Sequence, residues 1–528
     1  MFDFLRRLKP AATKKFQRKI QSLKSFRCRH LIDRALKFGK FIRILSSSEV
    51  FMEFEAVIGL EVHAQLSTLS KLFCSCSTRF GAEPNSQVCP ICTGQPGVLP
   101  VINKRAIEYA LRLALALSCQ VNLLSVMARK HYFYPDLPKN YQISQYDLPL
   151  AEGGYVEIEL NDQKKTIGLT RIHLEEDAGK LVHDEKLPYS YVDFNRTGVP
   201  LLEIVSKPEI TSPEEAVAYL KTLRSIVRYL GICDGNMEEG SLRCDANISV
   251  RPKGSSTFGT KVELKNMNSF KHVERALAYE IKRQIGLILE GKEVVQETRL
   301  YDEATQTTHP MRGKEEAHDY CYFPDPDLIE IQLEEALIEK IKEELPELPQ
   351  AKKERFVKTY GLTSYEAGIL TEEKTLADFF EETLKFYPNP KAVSNFILTE
   401  VLRYLNRDRL DISESKLNPG HLAELLELVE KEVISITLAK QQVFPEVYEK
   451  GLSPKKIVEE KGLLQESSEA QLRGVCEEVL RENPSEVEKY RSGKKGLIGF
   501  FVGQVMKKTQ GKANPKVVNK ILTELLEN

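Results

Sequence analysis

The chain has 528 residues, 42% hydrophobic and 29% charged, with a formal net charge of -1. That length allows three or four cores at roughly 100–200 residues each, and no run approaches the ~18 apolar residues of a membrane span, which excludes an integral helical membrane protein. Ten cysteines in so long a chain, four of them clustered, fit a reducing cytosol and argue against a disulfide framework.

The near-zero charge conceals an asymmetry. Residues 1–51 carry 14 Lys/Arg against three acids, which leaves a net of -12 on the remainder. In this arm Phe16, Ile20, Leu23 and Phe26 recur at helical spacing among basic residues. Three readings stay open: an organelle presequence, an RNA- or membrane-surface arm, or an extension upstream of a start at Met52. The protein is expected in the cytoplasm, and in an organelle only if residues 1–51 are a transit peptide.

The stretch Val57–Pro100 opens on apolar Ile58, Leu60, Val62 and Ala64 alternating with Glu61, His63 and Gln65. In a strand that period of two puts Glu61 and His63 on one face, where a carboxylate and an imidazole can share a metal. Cys74, Cys76, Cys89 and Cys92 follow as a C-x-C and a C-x-x-C pair among turn-forming Pro90, Gly94, Pro96 and Gly97. This is the pattern of a four-thiolate zinc ribbon. Asn103–Leu117 then predicts an amphipathic helix with Ile107, Ala110, Leu111, Ala114 and Leu117 on one face. Residues 129–150, with four tyrosines and three prolines, read as a long structured loop, either lining a ligand site or packed as an ordinary loop.

Residues 155–205 read as strands and carry a second acidic cluster. Arg171, His173, Glu175, Glu176 and Asp177 fall within seven residues, and Glu203 stands alone between apolar neighbours. A lone charge in an apolar strand is costly to bury unless paired or metal-bound; a solvated strand end is the second reading of the acid triplet. The following helix is well marked, with Ser212 as cap, Pro213 at its first position, Glu214 and Glu215 in the first turn and Gly231 past its end. Lys261, Glu263 and Lys265 then alternate with Val262 and Leu264, a face suited to phosphate oxygens or to a cross-strand salt-bridge ladder.

From about Pro346 the texture becomes helical, without a catalytic cluster. Between Arg491 and Lys520 there are eight Lys/Arg and no acids, including Lys494, Lys495, Lys507, Lys508, Lys512 and Lys516. Such a concentration in an acidic protein is the footprint of a nucleic-acid-binding module, or else a solvated basic face. No G-x-x-x-x-G-K-[ST] loop and no G-x-G-x-x-G turn is present, so phosphate chemistry here would use metal ions. Carboxylates and one imidazole from separate strands, Glu61, His63, Glu176 and Glu203, suit a hard or borderline divalent ion.

The blocks IGLEVHAQL, FGAEPNSQVCPICTGQPGVLPVINKRAIEYA, RKHYFYPDLPKNYQISQYD, RIHLEEDAGK, DFNRTGVPLLEIVSKPEI, EEGSLRCDANISVR, ELKNMNSF and GFFVGQVMKKTQGKANPKVVNKIL run in order from about residue 53 to 528. Together they resemble the B subunit of the aspartyl/glutamyl-tRNA amidotransferase. The resemblance implies an α+β fold in which a cradle-like catalytic domain with a mixed or antiparallel sheet and a zinc ribbon spans residues 52–345. An all-α domain over 346–461 and a small YqeY-like tRNA-binding tail over 462–528 follow it. It also implies ATP and Mg2+ as cofactors, with zinc structural because some members lack the four cysteines. The partners implied are a glutaminase A subunit, a small C subunit and misacylated tRNA, with no membrane. The implied chemistry is phosphorylation of the side-chain carboxylate of Glu-tRNA(Gln) or Asp-tRNA(Asn), followed by amidation with ammonia channelled from the A subunit. By position in the motifs, the magnesium roles fall on His63 and Glu176 with Glu61 and Glu203. Glu175 is the alternative, since it points opposite to Glu176 in a regular strand. Lys261, Glu263 and Lys265 are expected to contact phosphate or carboxylate, and Cys321 stands where the family has a basic residue.

Overall fold

The computed structural model describes residues 53–161, 163–184, 187–311, 320–463, 469–509 and 513–527; the basic arm of residues 1–51 and Lys512 lie outside the described residues. The chain divides into two compact units, Met1–Pro346 and Glu347–Asn528. The first combines many strands with a few helices, and every regular element of the second among its described residues is a helix.

The first unit is built on a ten-stranded mixed sheet. Five of its strands carry the candidate site residues: β1 (Phe54–Gln65), β2 (Gln163–Glu176), β3 (Pro200–Ser206), β4 (Leu242–Pro252) and β5 (Val262–Lys265). They lie side by side in the order β5-β4-β1-β3-β2, every neighbour antiparallel. On one face Ile58, Leu60, Val62, Ile172, Leu174, Leu202, Ile204, Ala246 and Ile248 are all buried. The other face carries the polar half of each alternating strand.

Helices cover the apolar face. The predicted helix after the cysteine array forms as α1 (Lys104–Ala116), capped by the Asn103 side chain, and packs on β2. The marked helix after Ser212 forms as α2 (Pro213–Tyr229), with the Ser212 hydroxyl accepting from the Glu215 N–H at 3.1 Å. It packs on α3 (Phe270–Leu289), which lies against β4. Replacing such a cap costs about 1 kcal/mol, so its value lies in fixing where the helix starts.

The second unit has two separate apolar cores, one built from residues between Phe356 and Leu463 and one from residues between Leu472 and Leu526. No helix among the described residues is long and apolar enough to cross a membrane.

Candidate active site

Strand register builds the site. His63 of β1 lies directly opposite Glu203 of β3, and Glu203 opposite His173 of β2. Directly opposite residues of antiparallel strands project to the same face, so imidazole, carboxylate and imidazole form a row across three strands. Two residues along each outer strand, Glu61 and Glu175 share that face. The Nε2 atom of His63 lies 3.6 Å from Glu203, 3.8 Å from Glu61 and 3.8 Å from Glu175. His173 Nε2 lies 3.2 Å from the same Glu203 oxygen and 3.6 Å from Glu175. Glu175, Glu203 and His173 are all buried, while Glu61 and His63 keep partial exposure at the edge of the row.

Buried charges of one sign are tolerated only where countercharges or a cation offset desolvation. Burial pushes Glu61 up, and the neighbouring Glu203 pushes it further in the same direction. Burial acts to lower His63, yet the hydrogen bond to Glu203 and the Glu175 charge raise it above its ordinary value. His173 is carried up to about 9 by Glu175 and Glu203 against its burial. Burial opposes ionisation of Glu203, but the two imidazoles hold it well below the usual carboxylate range. On the far side of His173, Arg171 Nε donates to Nδ1 at 3.3 Å. That contact leaves Nε2 facing the carboxylates.

Glu176 departs from the expected set. As the immediate neighbour of Glu175 in a strand it faces the other way. There it pairs with the Lys139 ammonium and accepts from the Ile143 N–H at 2.8 Å. It lines a cavity of about 140 Å³ together with Lys71, Cys92, Lys139, Tyr141 and Gly198, remote from the His63 row by strand face. Asp177, next along, is held below the carboxylate range despite its burial by Arg243 and Arg196 and by a 2.6 Å hydrogen bond from Gln65.

Lys265 spans two strands, 2.5 Å from Asp245 and 3.1 Å from Glu263, and Asp245 stands opposite Glu61. The cross-strand ladder is thus formed. Thr298 Oγ1 donates to Glu263 at 2.5 Å, and Lys261 stands exposed just before β5.

The four predicted cysteines converge. Cys74, Cys76, Cys89 and Cys92 present sulfurs within 4.8 Å of one another, on turns outside the sheet. Gly94, at φ 65°, closes the last of these turns, and a Cβ there would meet the Lys139 side chain. The Cys92 thiol is held down to about 4 by the Cys74 thiol, against burial, with help from the Cys89 N–H and the buried Lys71 ammonium. Four sulfurs at this spacing, one already stabilised as thiolate, fit tetrahedral zinc. The sheet row fits a different ion. Glu61, His63 and Glu203 also offer ligand atoms within 4.8 Å of one another, as do His173, Glu175 and Glu203, and such oxygen-rich sets suit a hard divalent cation.

The tail lysines are less uniform than their sequence run. Lys516 is 2.6 Å from Glu432, Lys508 is 2.8 Å from Glu478 and 2.7 Å from Glu482, and Lys495 is 3.7 Å from Glu527. No ion pair engages Lys494 or Lys507 among the described residues. Cys321 is exposed on the strand Cys321–Pro324, opposite His131.

Sequence reasoning did not assign His173 a place in the site. It sits two residues before Glu175, a spacing that marks a shared strand face, but its meeting with Glu203 depends on the β2–β3 register.

A buried carboxylate–imidazole row on a mixed sheet, with a thiolate cluster outside it, defines a metal-competent catalytic domain. Residues 56–339 match the family model described as the GatB/GatE catalytic domain, and residues 378–526 match the GatB domain model. The B subunit of the aspartyl/glutamyl-tRNA(Asn/Gln) amidotransferase of Thermodesulfovibrio yellowstonii is 60% identical over 476 residues, 90% of this chain and 100% of the relative. The B subunit of the same enzyme from Persephonella marina is 58% identical over 477 residues, 90% of this chain and 100% of the relative. That of Carboxydothermus hydrogenoformans is 56% identical over 477 residues, 90% of this chain and 99% of the relative. The chain belongs to the family of aspartyl/glutamyl-tRNA(Asn/Gln) amidotransferase B subunits.

Proposed function

We propose that this chain activates the side-chain carboxylate of Glu-tRNA(Gln), Asp-tRNA(Asn) or both with ATP. Ammonia released from glutamine by an A subunit then amidates it, with a small C subunit completing a cytoplasmic heterotrimer. The observation that carries the reading is the His63–Glu203–His173 row with Glu61 and Glu175 at its edges.

The substrate carboxylate is already ionised at neutral pH, its reference pKa being about 4, so the nucleophile needs no general base. What opposes the reaction is the repulsion between that carboxylate and the nucleotide phosphates. Glu61, His63 and Glu203 would hold a magnesium ion at the exposed edge of the row, with Glu175 in support. When bound, that ion neutralises phosphate oxygens and aligns the attack. Glu175 takes the place that the motif position assigned to Glu176, because only Glu175 shares a face with His63. His173 keeps Glu203 ionised and oriented by donating from Nε2, with Arg171 fixing the ring from behind. Lys265, anchored between Asp245 and Glu263, supplies a fixed cation on the Glu61 side for nucleotide phosphates, and Lys261 a second at the edge. The zinc clip braces the loop beside the sheet and stays out of the reaction. In the tail, Lys494, Lys495, Lys507, Lys508 and Lys516 are the cations offered to tRNA, with Lys512 of the same sequence run, the ones paired with Glu432, Glu478, Glu482 and Glu527 exchanging partners on binding.

The test is reconstitution with A and C subunits, ATP, glutamine and each misacylated tRNA separately. The reading predicts ATP-dependent amide formation on at least one tRNA and its loss in His63→Ala with tRNA binding intact. Absence of amide product from both tRNAs contradicts it.

A further inference from the structure

Among the described lysines Lys71 stands apart, fully buried at 0% exposure and three residues before Cys74. A lysine is almost never buried without a partner for its charge. The Lys71 ammonium has two polar neighbours, the Phe194 carbonyl at 3.2 Å and the Cys92 sulfur at 3.6 Å. No carboxylate pairs with it among the described residues, and Glu176, which lines the same cavity, is engaged by Lys139. Of its two neighbours only the Cys92 sulfur can carry the balancing negative charge.

Local structure holds the ammonium in that place. An antiparallel bridge pairs Ser70 with Ser77, and the Lys71 N–H donates to the Cys76 carbonyl at 3.0 Å, so the Lys71 backbone is tied to the C-x-C turn. The following Leu72 and Phe73 are buried, and the Asn103 side chain donates to the Lys71 carbonyl at 3.3 Å. The Phe194 end is fixed as well: its N–H donates to the Asn85 side chain at 2.8 Å, and Asn85 lies between the two cysteine pairs in sequence. One side chain thus reaches from the first cysteine pair to a sulfur of the second. Cys92 is the buried member of the four, while Cys74, Cys76 and Cys89 are partly exposed. Besides the ammonium, the Cys92 sulfur accepts from the Cys89 N–H at 3.2 Å.

Four thiolates around one Zn2+ leave two excess negative charges, and burying them requires countercharge and donated hydrogen bonds. We infer that Lys71 is the internal counter-cation of this cluster, a positioning residue whose ammonium donates to the metal-bound Cys92 sulfur. In that role it raises the affinity of the clip for zinc and blunts the sulfur as a nucleophile. The role rests on the zinc reading of the four cysteines proposed above and adds what holds the ion. A donated hydrogen bond draws electron density from a thiolate, and a less basic sulfur is a weaker nucleophile. Water can solvate the three partly exposed sulfurs, whereas the buried one depends on the protein for its donors. An apolar side chain at position 71 would fill the space and supply neither donor nor charge.

The experiment compares Lys71→Met and Lys71→Gln with the parent in the assembled heterotrimer, reading zinc affinity by competition with a chromophoric chelator. Lys71→Met removes donor and charge together and is expected to weaken zinc binding roughly 10- to 100-fold, the usual effect of deleting a partner of a metal ligand. Lys71→Gln keeps a neutral donor and should fall between Lys71→Met and the parent. With Co2+ in place of zinc, the sulfur-to-metal charge-transfer absorption should move to longer wavelength in Lys71→Met. Alkylation of Cys92 by iodoacetamide in the zinc-loaded complex, followed by peptide mass spectrometry, should become several-fold faster, as expected of a more basic sulfur. A side chain that merely packs would lower urea stability equally with and without zinc and leave the Co2+ spectrum in place. That outcome, or unchanged zinc affinity in either folded variant, overturns the assignment. Lys71→Gln retains a polar side chain of similar size and tests the role even if Lys71→Met fails to fold. A parent that binds no zinc refutes the clip and this role together, whereas a zinc-binding parent matched by its variants refutes the role of Lys71 alone.

Discussion

The first unit holds two clusters of metal-ligating side chains, and the chain makes them in opposite ways. The thiolate cluster is local: four cysteines within nineteen residues, brought together by turns that Pro90 and Gly94 favour. The carboxylate–imidazole row is assembled by sheet register, from Glu61 to Glu203, on strands far apart in sequence. The local cluster gathers soft ligands that can close completely around an ion, as a structural site does. The dispersed one leaves His63 and Glu61 at an accessible edge and buries Glu203 beneath them together with Glu175 and His173. A clip can be closed by a loop, whereas a site that must admit phosphates needs its ligands held by rigid strands and one side left open.

Breaking the dispersed row should give the largest effect. Glu203→Gln removes the one carboxylate both imidazoles share and is expected to lower carboxylate activation roughly 10³-fold, the several kcal/mol a Lewis-acid ion contributes. Measured as ATP-dependent amidation by the heterotrimer, a loss under tenfold would break the contrast. Breaking the local clip should act on folding instead. Cys89→Ser is expected to abolish stoichiometric zinc by elemental analysis and to cost more than about 3 kcal/mol in urea unfolding. The rate of the molecules still folded should be nearly unaltered.

The next comparison is within one strand. Glu175→Gln should weaken magnesium activation about 10- to 100-fold, whereas Glu176→Gln should leave the magnesium dependence unchanged. Titrating activity against Mg2+ decides between them; equal shifts would show that face does not govern the role. The smallest effect lies outside both clusters. Glu366 completes a capping box with Thr363 and bonds Lys391 at 2.7 Å, which holds its carboxyl down to about 2 from 4.5. A depressed carboxyl contributes stability above its unfolded value, and that contribution fades as pH falls from about 4.5 towards about 2. Glu366→Gln should flatten the acid limb of the second unit's unfolding, monitored by helical circular dichroism, by under about 1 kcal/mol. An unchanged acid limb would show the box to be decorative.

How much was legible follows the same division. The cysteine cluster and the helices capped by Asn103 and Ser212 could be read directly, because spacing and caps are local properties. Glu203 stood out because a single charge in an apolar strand requires a partner. Which of Glu175 and Glu176 shares a face with His63 could not be read from motif position, since one residue of offset reverses the face. His173 joins the site only through the β2–β3 register. Equally, a pure basic run at the tail gave no sign that Lys508 and Lys516 pair with acids elsewhere in the second unit.

The most direct test of the central claim, that the sheet row and not the thiolate clip holds the catalytic ion, is electron paramagnetic resonance of Mn2+ bound to the heterotrimer. Only this chain of the complex carries nitrogen-15-labelled histidine. The account predicts a nitrogen coupling from His63 that disappears in His63→Gln and persists when Cys74, Cys76, Cys89 and Cys92 are all replaced by serine in the folded complex. A coupling retained in His63→Gln, or lost with the cysteines, would contradict it.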